Sequence, residues 1–259
     1  MLNAIQHTPK PYGNEIHRTQ GDWDRIQALQ IENLASMSQE IDAPEGNLRN
    51  RQFYLDALNR GEGIKEFGNL IPDEGEIQQG RVVGRNFYST LHQQIQISLL
   101  AFKSGVSVSA DLHEGGYDTH VDHDLDHTVL LGNATDALDY LWTYAEELGL
   151  ADRLVLIVGS DFGRTPYYNA GAGKDHWPIG SFMVMEKNVA YTNQVIGETD
   201  GGHNAFKINS DSLLRDDDDG ILIHPKHVHK ALRRYLGIEN SPITEMFPFN
   251  NTEDFDFFA

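Results

Sequence analysis

Three short runs of this sequence gather carboxylates and imidazoles beside glycine. They are Gly115-Gly-Tyr-Asp-Thr-His120, continuing Val-Asp-His123; Gly159-Ser-Asp-Phe-Gly-Arg-Thr165; and Gly173-Lys-Asp-His-Trp-Pro178. Asp supplies hard oxygen and His borderline nitrogen, a donor mixture suited to zinc, manganese or iron. The flanking glycines let the chain turn sharply and bring short side chains inward. Each run has a plainer account: Asp118 can open a helix as its N-cap, Asp161 can cap a helix and pair with Arg164, and His176 can be a satisfied buried histidine. His120, His123 and His127 can form a solvated helix face, which is the preferred account for His127. Three such runs, each placed just after an expected strand, outweigh any one of them.

The elements that must position these runs follow from periodicity. From Asn86 to Lys103, Phe87, Leu91, Ile95, Leu99 and Phe102 recur at helical steps, and Gly105 is placed to cap the helix. Val106-Ser-Val-Ser-Ala-Asp-Leu112 alternates like a strand. Leu131, Ala134, Leu138, Leu141, Trp142, Ala145 and Leu148 mark a long amphipathic helix closed by Gly149. Leu154 to Val158 is a continuous apolar run, the pattern of a buried parallel strand, and Phe182 to Met185 is a third strand candidate. Pro225 opens a last helix with Val228, Leu232 and Leu236, stopped by Gly237. This order predicts an α/β core with parallel strands over 105–240, in which the ligand runs face one crevice beyond the strand ends. Residues 1–104 read as mainly helical, with stripes at Trp23, Ile26, Leu29, Ile31 and Leu34 and at Phe53, Tyr54, Leu55 and Leu58. The tail over 241–259 reads as irregular and laid against the body.

Composition narrows the function classes. With 39 acidic against 20 basic residues and a net charge of −19, the chain lacks the basic face that nucleic acid requires. It has no cysteine, so disulfides, thiolate metal sites and cysteine nucleophiles are excluded. No apolar stretch approaches the roughly 20 residues of a membrane span, and the first residues lack a signal-peptide pattern. Asp216 to Gly220 breaks the EF-hand pattern, which would put Arg215 first and Lys226 last. Gly173-Lys174 is followed by Asp175 rather than Ser or Thr and is no P-loop. His224, His227 and His229 fall where Pro225 starts a helix and read as a solvated face. Thr119 and Thr165 are weak candidates for a nucleophile.

GGYDTH, a helix, LVLIVGSDFGRTP, GKDHWP and VIGETD, in that order, resemble the DUF1501 family from about Phe87 to Gly237. That family is similar to the alkaline phosphatases and sulfatases. The resemblance implies an alkaline phosphatase-like sheet core flanked by helices, incomplete here and preceded by a helical region. It implies a divalent metal, zinc first and manganese, iron or calcium after it, held by Asp118, His120, Asp161 and His176. Asp175 would serve as a further ligand or as a partner behind one. The metal would polarise a phosphate or sulfate ester of a small molecule or saccharide, and Arg164 would bind an anionic oxygen. Phe162 stands where better-known members have a second histidine, a departure from a complete two-zinc site. The early strand, the GGxDGL-like segment and the nucleophile of that superfamily are not found. Export to a periplasm or beyond the cell is a further implication. A non-catalytic binding or assembly module that keeps the fold is the alternative.

Overall fold

The computed structural model describes residues 63–258, together with Gly21, Arg25, Ala28, Leu29 and Glu32. Of the early apolar stripes, Leu29 is described, as a helical residue with an exposed side chain. Trp23, Ile26, Ile31, Leu34, Phe53, Tyr54, Leu55 and Leu58 lie outside the described residues. The described residues form mixed α/β structure in two compact units, one up to Gly115 with Asn133–Leu150, the other Gly116–Gly132 with the residues from Ala151 onward.

In the first unit, residues 63–70 are helical. β1 (Arg81–Val83) and β2 (Phe87–Ser89) form an antiparallel hairpin with Val83 opposite Phe87. Gly84 turns the chain at φ 61°, which an L side chain would resist. The expected helix from Asn86 therefore begins later, as α1 (Leu91–Lys103), because residues 87–89 are taken by strand pairing. Ile95 and Leu99, four apart, are buried with Leu100. α2 (His123–Glu147) starts eight residues before Leu131, with Asp124 and Asp126 in its first turn, and its Ala137, Leu141 and Ala145 stripe is buried in this unit. A polar network joins the hairpin to α2. Arg81 donates to Asn133 at 2.8 Å and Asp136 at 2.6 Å, and Asn133 donates to Glu114 at 2.7 Å and Ser89 at 3.1 Å.

The alternating Val106–Leu112 segment is not a strand. Val106 instead closes α1: its N–H bonds Ala101 O while that of Gly105 bonds Phe102 O, the paired geometry of a Schellman cap. Val108 is 96 % exposed, so the alternation finds no surface to bury. The same paired bonds end α2 at Gly149 and the later helix at Gly237, each glycine with positive φ.

In the second unit, β3 (Val155–Gly159) pairs with β6 (Phe182–Glu186), Val155 opposite Glu186 and Gly159 opposite Phe182. Between them β4 (Gly163–Arg164) pairs with β5 (His176–Trp177), Arg164 opposite His176. Both ladders are antiparallel, which corrects the parallel core expected from the apolar run. The strand is not buried either, since no residue of β3 is buried and Ile157 is 40 % exposed; an apolar stretch carries no strand direction, and here the returning chain pairs back along the strand it left. α3 (Pro225–Tyr235) starts at Pro225 as expected. His227 on it is 1 % exposed, not solvated: its Nδ1 accepts the His224 N–H at 3.0 Å and its Nε2 lies 3.1 Å from Glu253. The tail contains a short α4 (Pro242–Met246) capped by Ser241. Its last residues lie on α3 through Lys230–Asp254 at 2.8 Å and Arg234–Asp254 at 3.1 Å, with Phe255 buried.

Candidate metal centre

The site is built on backbone. The segment 119–123 is laced to 171–174 by Asp122 N–H to Gly171 O, His123 N–H to Ala172 O and Lys174 N–H to Thr119 O, with Val121 bridged to Ala172. Gly173 permits this approach, since a Cβ there would collide with the carbonyl group of His120. The run from GGYDTH is thus held beside the run from GKDHWP, and β4 is in register with the latter.

Three donors converge. Asp118, His120 and His176 each offer a ligand atom, and these atoms lie within 4.8 Å of one another. Asp118 Oδ1 is 2.8 Å from His176 Nε2, 3.0 Å from His120 Nε2 and 2.7 Å from an Arg164 terminal nitrogen. Asp118 and His176 are 58 residues apart in the chain. The Arg164 and His176 hydrogen bonds hold the Asp118 carboxyl at about 2, so it is ionised throughout the neutral range. Two imidazole nitrogens and a carboxylate oxygen are donors that could hold a metal ion.

Asp175 is not in that group; its Oδ1 lies 2.9 Å from His120 Nδ1, the opposite side of the ring from Asp118. Asp161 is exposed and outside the group as well. Its neighbour Phe162 is the residue that meets the site, with its ring stacked on His176 at 3.8 Å and 11° and its face 4.7 Å from the Arg164 guanidinium. Arg164 is engaged within the chain. Its side chain is 10 % exposed, and its terminal nitrogens donate to Lys174 O at 2.7 Å, Tyr117 O at 2.6 Å and Asp118. The fork ties three segments together instead of facing an incoming anion.

The two threonines, weak nucleophile candidates in the sequence, are both buried. Thr119 is buried between the exposed Asp118 and His120, with its Oγ1 2.6 Å from His123 Nδ1. Thr165 is buried, donates to Tyr167 O at 2.8 Å and accepts the Asp175 N–H at 3.1 Å. His127 is half-buried and not part of a solvated face: it stacks on His123 at 4.4 Å and meets the Tyr117 ring edge-on at 5.4 Å. Burial lowers the pKa of both His123 and His127, with Lys174 and Arg164 adding to it. Asn169 was missed by sequence reasoning. It donates to Asp175 at 3.1 Å and His120 O at 3.0 Å and accepts the N–H groups of Gly171 and Gly173. An Asn inside a glycine-rich turn signals a turn, not a site.

Fold and site together describe a mixed α/β protein with one aspartate and two histidines grouped so that they could hold a metal ion. The chain belongs to the family described as Protein of unknown function (DUF1501), matched over residues 77–214, more than half of its length. The three converging donors and all four motifs lie inside that span. No curated protein and no solved structure matches the chain.

Proposed function

We propose that this chain binds one divalent cation, zinc before manganese, iron or calcium, through Asp118, His120 and His176, and that the centre acts on phosphate or sulfate esters. The observation that carries the reading is the convergence of one ionised carboxylate and two imidazoles on a common point. A bound cation supplies Lewis acidity toward an ester oxygen. Asp118 and the two histidines hold it, Phe162 keeps the His176 ring in plane, and Arg164 keeps Asp118 in place. The ester chemistry is supported by the motif order's resemblance to DUF1501 proteins, a family similar to the alkaline phosphatases and sulfatases, as is action in a periplasm or outside the cell. Among the described residues no helix is long and apolar enough to cross a membrane.

A second reading has its own support. Thr119 and Thr165 are buried and Arg164 is engaged on three partners, so a non-catalytic cation-binding module fits the same geometry. Metal analysis of the purified chain, with zinc titration and a panel of phosphate and sulfate monoesters, tests both. One bound equivalent with slow turnover of a subset of esters is expected. Cation binding without any turnover would leave the module, and no cation binding would overturn both.

A further inference from the structure

We infer that Asp175, held by Asn169, is a positioning residue that keeps the His120 proton on Nδ1 and so presents Nε2 as a donor to the cation. This rests on the cation reading above. An imidazole binds metal only through an unprotonated nitrogen, and the hydrogen bond at the other nitrogen decides which one that is. His120 has a carboxylate on each side of its ring: Asp118 at 3.0 Å from Nε2 and Asp175 at 2.9 Å from Nδ1. Nε2 faces Asp118, a member of the converging group, and Nδ1 faces Asp175, which is outside it. A carboxylate at Nδ1 retains the proton there and leaves the Nε2 lone pair pointing at the group.

Asp175 is itself held from several directions. Its Oδ1 accepts from Asn169 Nδ2 at 3.1 Å. Its N–H donates to Thr165 Oγ1 at 3.1 Å, and its carbonyl accepts the Thr165 N–H at 3.0 Å. Asn169 in turn is pinned by two backbone N–H groups, at 2.9 Å from Gly171 and 3.0 Å from Gly173, while it also reaches His120 O. One side chain therefore ties both the backbone of His120 and the carboxylate behind its ring. The bland account is a surface ion pair, since the two side chains are 44 % and 52 % exposed. Such pairs contribute little to stability, so that account predicts that loss of Asp175 leaves cation affinity alone. His176 has a different support, the Phe162 plate, so the effect belongs to His120.

The test uses the full chain and zinc alone, with affinity read by competition against a chromophoric chelator at one pH. Asp175→Ala is expected to bind zinc about 10- to 100-fold more weakly, as loss of a partner behind a ligating histidine does, with its thermal midpoint little changed. Asp175→Asn, whose amide oxygen still accepts from Nδ1–H, should recover part of the loss, and Asn169→Ala should move affinity in the same direction by less. In ¹⁵N spectra of the zinc-loaded wild type, His120 should be ligated through Nε2 with its proton on Nδ1. Wild-type affinity in Asp175→Ala, or ligation through Nδ1, would overturn this inference while leaving the cation site standing. Failure of the wild type itself to bind zinc would overturn both.

Discussion

Replacing His176 by alanine removes one of three converging donors and the lower plate of the Phe162 stack. Structural zinc sites with four protein ligands bind with about 10–16 kcal/mol, or about 2.5–4 kcal/mol per ligand, which corresponds to a loss on the order of 10²–10³-fold in affinity. The side chain is 51 % exposed, so its removal opens no cavity in a core. The fold should therefore survive, and a falling affinity would report the ligand itself. Chelator competition on His176→Ala, beside a circular dichroism melt, reads both quantities. His127→Ala provides the contrast, because His127 stacks on His123 and is not in the donor group; its zinc affinity should stay within a few-fold of wild type. Equal affinities for His176→Ala and wild type would show that the convergence is not a cation site.

Three further outcomes follow from the same geometry. Arg164→Ala deletes three charge-assisted hydrogen bonds from a side chain only 10 % exposed and should cost about 2–4 kcal/mol in urea unfolding, given about 1.5–3 kcal/mol for one bond to a charged group; a loss below 1 kcal/mol would remove its tying role. Gly173→Ala drives a methyl into the His120 carbonyl, so a stability loss of about 1–3 kcal/mol together with weakened zinc binding is expected, and wild-type behaviour would refute the close approach. Burial holds His92, His123, His127 and His227 below the usual imidazole value, so the unfolded chain takes up protons first as pH falls. Their contribution is complete above about 6.5 and declines below it; a urea midpoint that is flat or higher at pH 5.5 than at 7.5 would contradict this sign.

Residue type and motif order made the centre partly legible. Asp118, His120 and His176 could be named because carboxylate and imidazole beside glycine are uncommon outside sites and turns. Their supports could not. The Asp175–His120 and Asn169–His120 contacts join positions 55 and 49 residues apart, and Asn169 looks like any turn asparagine. Phe162 could be read only as a missing donor, whereas its stacking on His176 needs coordinates. Helix ends at Gly105, Gly149 and Gly237 were readable because a left-handed residue after an apolar stripe has a local cause. Strand direction was not, since the apolar runs of β3 and β6 look the same in either sense. Likewise, the Val106–Leu112 alternation mimicked a strand, although pairing depends on a neighbour the segment itself cannot specify.

The lacing of 119–123 to 171–174 has a consequence for how the centre can change. Its spacing is carried by peptide groups and by one glycine, not by the side chains that face the cation position. The distance between the segments is thereby separate from the aim of each donor, which Arg164, Phe162 and Asp175 set through the side chains themselves. Exchanges at positions 118, 120 and 176, His for Asp or Cys for His, would keep the segment spacing and change these contacts one at a time. If the proposed site binds a cation, a set of such exchanges would change which metals are preferred while the two laced segments stay in place.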